Sequence, residues 1–290
     1  MVTAGMTPRD AVRQLEARLT AAGCPDADYD AAELFRLVTG RDVRLADAPL
    51  PEAQAARLES LCLRREAREP LQYLCGRWSF LDFELIVGPG VLCPRADTEV
   101  VAETAAQTLA GVKAPRVLDL CAGSGCVGLA VAKFCPGSHV VLGELMEGAL
   151  RVCRRNIRRS GLTSQVMPWQ VDALDGPPPR FGEFDCIVSN PPYIPDGDIA
   201  GLDVSVRDYE PLTALKGGAD GLDFYRAISE KWKAALAPGG RLYFEVGIGQ
   251  ADAVLRIMRA QGFGDIQVVK DHNDIPRVVF GTLCGEVYSE

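Results

Sequence analysis

From residue 95 onward, short apolar runs alternate with amphipathic stretches, and this alternation restricts the possible folds more than any other feature of the chain. Apolar strands joined by helical connections need cover on both faces, and the helices supply it. The pattern therefore specifies an α/β domain on a largely parallel sheet. Strands are expected over 117–120, 139–142, 164–168, 186–189, 242–246, 266–269 and 278–281. Helical stripes fall at Val127, Ala130, Val131 and Phe134, and at Ala149, Leu150, Cys153 and Ile157, closed by Gly161. A third stripe, Leu222, Tyr225, Ile228 and Trp232, precedes Pro238-Gly239-Gly240.

The first 75 residues read differently. Thr7-Pro8-Arg9-Asp10 is a helix start: a capping Thr, a Pro at the first helical position and an acid three residues after the cap. Val12, Leu15 and Leu19 then share a face up to Gly23, and Ala31, Leu34, Phe35 and Val38 share another up to Gly40. A third helix is expected from Pro51, carrying Leu58, Leu61 and Cys62 and ending before Pro70. Trp78 and Phe80, then Phe83, Leu85 and Val87, alternate as in a β-hairpin, punctuated by Gly88-Pro89-Gly90. The expected organisation is a helical bundle at 1–75, a β-hairpin linker at 76–90 and the α/β domain at 91–290.

Composition narrows the partners. Hydrophobic residues make up 48% and charged residues 24%, no run approaches the ~20 apolar residues of a membrane span, and the N-terminus has no signal-peptide pattern. A cytoplasmic, monomeric protein is expected, without membrane contact. The net charge of −8 argues against bare nucleic acid as a direct partner, because phosphate neutralisation calls for a basic excess. The basic run Arg151, Arg154, Arg155, Arg158 and Arg159 reads as the solvated face of a helix. Ten cysteines without a CxxC pair, and only two histidines, make no metal site, so the cysteines read as small core residues.

Three motifs carry chemistry. Asp119-Leu120-Cys121-Ala122-Gly123-Ser124-Gly125 follows the first strand of the α/β part, where small residues let the backbone turn sharply and approach a ligand. Gly123-x-Gly125-x-x-Gly128 formally matches a dinucleotide fingerprint, so this turn alone leaves a nicotinamide dehydrogenase open. Glu144, at the end of the second strand, is placed to accept hydrogen bonds from ribose hydroxyls. Asn190-Pro191-Pro192-Tyr193 follows a strand whose carboxyl end should face the ligand. An amide nitrogen is a poor nucleophile because its lone pair is delocalised. Hydrogen-bond acceptors aimed at both of its N–H groups favour the electron-rich nitrogen. Asn190 offers a side-chain carbonyl, Pro191 a backbone carbonyl, the two prolines add no N–H donors, and Tyr193 offers an aromatic wall.

Asn190–Tyr193 in this setting resembles the methyltransferases that modify planar exocyclic or amide nitrogens. Further segments resemble the HemK/PrmC family of protein glutamine methyltransferases in particular. They are Pro70-Leu71-Gln72-Tyr73-Leu74, Leu92-Cys93-Pro94-Arg95-Ala96-Asp97-Thr98-Glu99, Glu210-Pro211 with Ala214-Leu215, Gly217-Gly218-Ala219-Asp220-Gly221-Leu222, Glu245-Val246-Gly247 with Gln250, and Arg277-Val278-Val279. The likeness runs from about residue 30 to 281. Three departures stand out: Cys121 where Gly is more frequent, Glu144 where Asp is, and Ala96 where a second Pro is.

The resemblance implies a Rossmann-like S-adenosylmethionine-dependent methyltransferase domain preceded by a small helical bundle and a hairpin. It implies S-adenosyl-L-methionine as cofactor, held by Asp119, Cys121, Ala122, Gly123, Ser124, Gly125, Glu144, Asp172, Ala173 and Asn190, with Asp172 at the adenine amino group. It implies Asn190, Pro191 and Tyr193 as catalytic residues, and Asn190, Pro191, Pro192 and Tyr193 as the substrate loop. The implied substrate is the Gln of the Gly-Gly-Gln loop in class 1 peptide chain release factors, gripped in part by the helical bundle. Rival readings are a glutamine methyltransferase of a ribosomal protein, an adenine-N6 methyltransferase of nucleic acid, a nicotinamide dehydrogenase and a non-catalytic binding module. The last two leave Asn190–Tyr193 without a task.

Overall fold

The computed structural model describes residues 1–179 and 181–284, so residues 285–290 of the expected last domain lie outside the described part. The chain forms two compact units: Met1–Arg77 with Asp203–Tyr209, and Trp78–Leu202 with Glu210–Glu290. The hairpin expected as a linker is thus almost wholly part of the larger unit, and a seven-residue stretch of the later chain belongs to the smaller one.

The smaller unit contains α1 (Pro8–Ala21), α2 (Ala27–Thr39), α3 (Glu52–Glu66) and the short α4 (Leu71–Cys75). Thr7 caps α1 as its sequence suggests: its hydroxyl oxygen accepts from the Asp10 N–H at 3.2 Å. Leu15, Leu19, Leu34, Phe35, Leu58 and Cys62 are fully buried between these helices. Asp30 and Arg65 form a buried ion pair at 2.7 Å, which satisfies two charges that would otherwise be costly inside. The segment 203–209 is held by Arg68, paired with Asp203 at 2.6 Å, and by the Tyr209 hydroxyl, which donates to the Ala67 carbonyl at 2.6 Å.

The larger unit opens with the hairpin β1 (Arg77–Phe80) and β2 (Phe83–Ile86), then α5 (Glu99–Thr108). Alternating elements follow: β3 (Arg116–Leu120), α6 (Cys126–Phe134), β4 (His139–Glu144), α7 (Glu147–Arg159), β5 (Val166–Gln170) and β6 (Phe184–Ser189). The chain ends with α8 (Asp223–Lys231), β7 (Leu236–Glu245), α9 (Ala251–Ala260), β8 (Phe263–Lys270) and β9 (Pro276–Leu283). The strands make one seven-stranded sheet in the order β5-β4-β3-β6-β7-β9-β8. The first five run parallel, and β9 pairs antiparallel with both β7 and β8. A dinucleotide-binding sheet continues in parallel to its edge. The reversed strand β9, inserted between β7 and β8, departs from that plan.

Two apolar clusters cover the sheet. One buries Phe80 and Leu85 of the hairpin with residues of α5, α6 and α7, and the other buries Tyr225, Ile228, Trp232, Val254 and Met258 of α8 and α9. Asn156 of α7 is 1% exposed and joins the hairpin to the Gly-rich turn after β3. Its Oδ1 accepts from the Ile86 N–H at 2.7 Å, and its Nδ2 donates to the carbonyls of Ile86 and Ser124. On the outer side of α7, Arg151 and Arg154 face Glu147, and Arg159 pairs with Glu84, as a solvated basic face would.

Gly128 shows what the third glycine of the fingerprint does in this chain. A Cβ there would lie 2.3 Å from Leu142 Cδ2 and 3.0 Å from Asp119 Oδ2, so α6 packs onto β3 and β4 through a missing side chain. Gly128→Ala should therefore destabilise the protein by about 1–3 kcal/mol through overpacking. Chemical denaturation checks this by the midpoint, and an unchanged midpoint would mean that the helix moves off the sheet at no cost.

Candidate active site

The parallel strands β3, β4, β5 and β6 end on the same side of the sheet, and the loops that follow them line a cavity of about 440 Å³. That volume lies in the range of small-molecule sites. Of the residues expected from sequence, Cys121, Gly123, Glu144, Asp172, Ala173, Asn190 and Pro192 line it. Asp119, Ala122, Ser124, Gly125, Pro191 and Tyr193 do not. The remaining wall includes Val91, Leu92, Leu145, Met146, Leu174 and Phe224, which no motif singled out as site residues.

The turn after β3 is held open by backbone geometry. Cys121 has φ 62°, and Gly123 and Gly125 have φ 56° and 84°. A left-handed residue with a Cβ costs roughly 1–2 kcal/mol, which accounts for the frequent Gly where this chain has Cys121. Nothing lies within 4 Å of an ideal Cβ on Gly123, so the turn has open space on that side. The Cys121 thiol is pushed well up by burial and by the negative charge of Glu144, so it stays protonated.

Asp119 is 1% exposed and sits under the turn, where its Oδ2 accepts from the Gly128 N–H at 2.8 Å. Burial raises its carboxyl to about 7. Its contact is with the first turn of α6. Glu144 faces the cavity: Oε2 accepts from the Gly123 N–H at 2.9 Å and Oε1 from the Met146 N–H at 2.8 Å. Both bonds fix the carboxylate while leaving further lone pairs for a ligand. After β5, Asp172 Oδ1 accepts from the Leu174 N–H at 2.8 Å, and Trp232 Nε1 donates to the Ala173 carbonyl at 2.8 Å.

Asn190 follows β6, and its Nδ2 donates to Thr98 Oγ1 at 3.2 Å. Among the described residues, Asn190 Oδ1 has no protein partner. The loop is locked from behind. Ser189 Oγ donates to the Leu120 carbonyl at 2.8 Å, Ile194 bridges to Lys216, and Gln250 Nε2 donates to the Tyr193 carbonyl at 2.9 Å. A Cβ on Gly221, at φ +75°, would stand 2.3 Å from that same Tyr193 carbonyl, and one on Gly217 would stand 2.9 Å from the Pro192 carbonyl. The glycines of 217–221 therefore let one backbone segment lie directly on the other. Tyr193 departs from the expected aromatic wall. Its ring packs beside Gly247 rather than in the cavity, and burial raises its hydroxyl to about 12.

Two family models match: the PrmC N-terminal domain over residues 10–76 and the methyltransferase small domain over residues 84–203. A release factor glutamine methyltransferase of Geobacter sulfurreducens is 44% identical over 237 residues, covering 82% of this chain and 81% of the relative. One of Gloeobacter violaceus is 41% identical over 264 residues, covering 87% and 90%. A methyltransferase structure from Pyrococcus furiosus is 17% identical and superposes with a TM-score of 0.50, covering 71% of this chain and 92% of that one; it bears on the fold alone. Among the described residues, no helix is long and apolar enough to cross a membrane. With sequence identity of this degree over most of both chains, the protein belongs to the release factor glutamine methyltransferase family and is a methyltransferase.

Proposed function

We propose that the chain transfers a methyl group from S-adenosylmethionine to the side-chain amide nitrogen of a glutamine, that of the Gly-Gly-Gln loop of class 1 peptide chain release factors. The observation that carries the reading is Asn190: it lines the cavity, and its N–H side is engaged by Thr98, which leaves its carbonyl oxygen to accept. The relatives named for release factor glutamine methylation support the choice of substrate.

The cavity suits the donor. Glu144 takes the ribose hydroxyls, Asp172 the adenine amino group, and the apolar side chains of Leu145, Met146 and Leu174 flank the base. Asp119 holds the turn from below. S-adenosylmethionine bound there supplies a methyl group on a sulfonium, and its transfer to nitrogen leaves a neutral thioether and releases one proton to water.

The protein's own part is positioning. The Asn190 side-chain carbonyl and the Pro191 backbone carbonyl accept from the two N–H groups of the glutamine amide, which fixes the nitrogen lone pair toward the methyl group. These bonds strengthen as positive charge develops on nitrogen, so they favour the transition state over the ground state. Pro192 closes the cavity wall beside Asn190, and Tyr193 serves as the packed base of the loop. The helical unit at the N-terminus recognises the protein substrate.

The donor half of this reading has a direct test. A ligand that binds only the folded state stabilises it by about 2.7 kcal/mol at a hundredfold excess over its dissociation constant. Thermal melting should rise with S-adenosylmethionine or its demethylated product and stay put with NAD; the opposite pattern would overturn it. The substrate half is checked by labelled methyl transfer to a release factor and to the same factor with its Gly-Gly-Gln glutamine replaced. Label in the first and none in the second is expected, and equal label in both would refute the assignment.

A further inference from the structure

Three backbone groups of the Gly-rich turn are held by side chains of other elements. Glu144, at the end of β4, accepts from the Gly123 N–H. The Cys153 thiol of α7 donates to the Gly123 carbonyl at 3.2 Å. Asn156, on the same helix, donates through Nδ2 to the Ser124 carbonyl at 2.9 Å. Both carbonyls therefore face α7. Burial pushes the Cys153 thiol well up, so it keeps the hydrogen it donates. A thiol is a weak donor, and the amide is the firmer of the two ties.

Asn156 also serves the hairpin. Strands β1 and β2 form a sheet of their own, outside the seven-stranded one. At the end of β2, Asn156 Oδ1 accepts from the Ile86 N–H at 2.7 Å and Nδ2 donates to the Ile86 carbonyl at 3.0 Å. That exchange of both bonds with one residue is what a partner strand makes in an antiparallel pair. The other buried residues of α7 are the apolar Ala149, Leu150, Cys153 and Ile157. An apolar side chain at 156 would fill the space without burying a polar group, so the amide matters for the two segments it joins. Both run into the cavity wall. Ser124 adjoins Gly123 and is near Cys121, and the chain leads from Ile86 to Gly90, Val91 and Leu92; these five neighbours line the cavity.

We infer that Asn156 is a positioning residue for donor binding, which ties the Gly-rich turn to the end of the hairpin and so sets the cavity wall before the donor arrives. The inference rests on the cavity being the donor site, as proposed above. Asn156 does not itself line the cavity, so it acts through the segments it holds. Without the amide, the Ile86 N–H and the carbonyls of Ile86 and Ser124 lose their shared partner, and the two segments can shift independently. Apparent affinity falls with the fraction of molecules in the competent geometry, so a wall correctly set about a tenth of the time binds the donor about tenfold more weakly. Once the donor is bound the wall is set, and methyl transfer proceeds at its usual rate.

The test uses the full chain, with S-adenosylmethionine affinity measured by calorimetry, folding by thermal melting, and methyl transfer to a release factor under single-turnover conditions. Asn156→Leu keeps the size of the side chain and deletes its three hydrogen bonds. The donor dissociation constant should rise about tenfold or more, while the rate at saturating donor stays within about threefold. Ile157→Ala is the control: it removes a buried side chain from the same helix that is not tied to the turn. It should lower the melting temperature and leave donor affinity within about threefold. Hydrogen exchange on the wild-type protein gives a second measurement, which stands even if Asn156→Leu fails to fold. S-adenosylmethionine should slow exchange at the Ile86 N–H along with the turn, and by more than in β8 at the far edge of the sheet. Wild-type donor affinity in Asn156→Leu, an equal loss of affinity in Ile157→Ala, or protection of the turn without Ile86 would each overturn the inference. A fall in the saturated rate with donor affinity intact would do so as well. Absence of S-adenosylmethionine binding by the wild-type protein would instead remove the donor-site reading on which it depends.

Discussion

Asn190→Ala should lower the single-turnover rate of methyl transfer by about 10²–10³-fold, the usual cost of removing one positioned partner of a transition-state charge. Donor affinity should remain within a few-fold, because apart from Asn190 itself all the expected donor contacts come from the segments at the ends of β3, β4 and β5. The Pro191 carbonyl would remain, but a single acceptor leaves the amide free to rotate about it. Asn190→Asp should also fail. It retains acceptor oxygens but loses the N–H that Thr98 holds at 3.2 Å, and it sets a full negative charge beside the sulfonium. Donor titration with labelled-methyl transfer reads both quantities. A near wild-type rate for Asn190→Ala would reduce the Asn190–Tyr193 loop to a structural turn.

The second large effect is on donor binding. Glu144→Gln removes the charge proposed to accept from the ribose and leaves one acceptor oxygen where two backbone N–H groups, of Gly123 and Met146, now bind the carboxylate at 2.9 and 2.8 Å. The inserted amide NH₂ must then face a donor. Hydrogen bonds to a charged group are worth about 1.5–3 kcal/mol, so the donor dissociation constant should rise about 10–100-fold. At saturating donor the rate should be nearly unchanged, because the ribose is held alike in ground and transition states. Unchanged affinity, or a collapse of the saturated rate alone, would contradict the role assigned to Glu144.

Much of this site could be read before any coordinates. The Gly-rich turn, the acid at the end of β4 and the Asn-Pro-Pro-Tyr loop each occupy the carboxyl end of a strand, and strand periodicity locates those ends from sequence. What escaped has physical causes. The strand expected over 164–168 runs from Val166 to Gln170, because β5 is an edge strand where Pro168 interrupts no ladder on its open side. The strand expected over 242–246 begins at Leu236, its Pro238-Gly239-Gly240 absorbed in a register shift against β6. Helix α5 drew no expectation, since its alanines blur the apolar stripe.

Within the site, Asp119 and Tyr193 belonged to the right motifs, but their side chains point away from the cavity, and a motif does not reveal which way a side chain turns. Thr98 stood in a segment that resembled the family, yet nothing in one dimension pairs a turn before α5 with the loop after β6. Asn156 carries no sequence signal at all. Its place between the hairpin and Ser124 emerges only when α7 is laid against both.

The most direct measurement is a competition. The full-length protein and S-adenosylmethionine are incubated with an equimolar mixture of a class 1 release factor and ribosomal proteins, and fragment-ion mass spectrometry locates every added methyl group. One methyl group is expected on the side-chain nitrogen of the Gly-Gly-Gln glutamine, appearing before any other product and absent with Asn190→Ala. Methylation of a ribosomal protein while that glutamine stays unmodified would contradict that expectation.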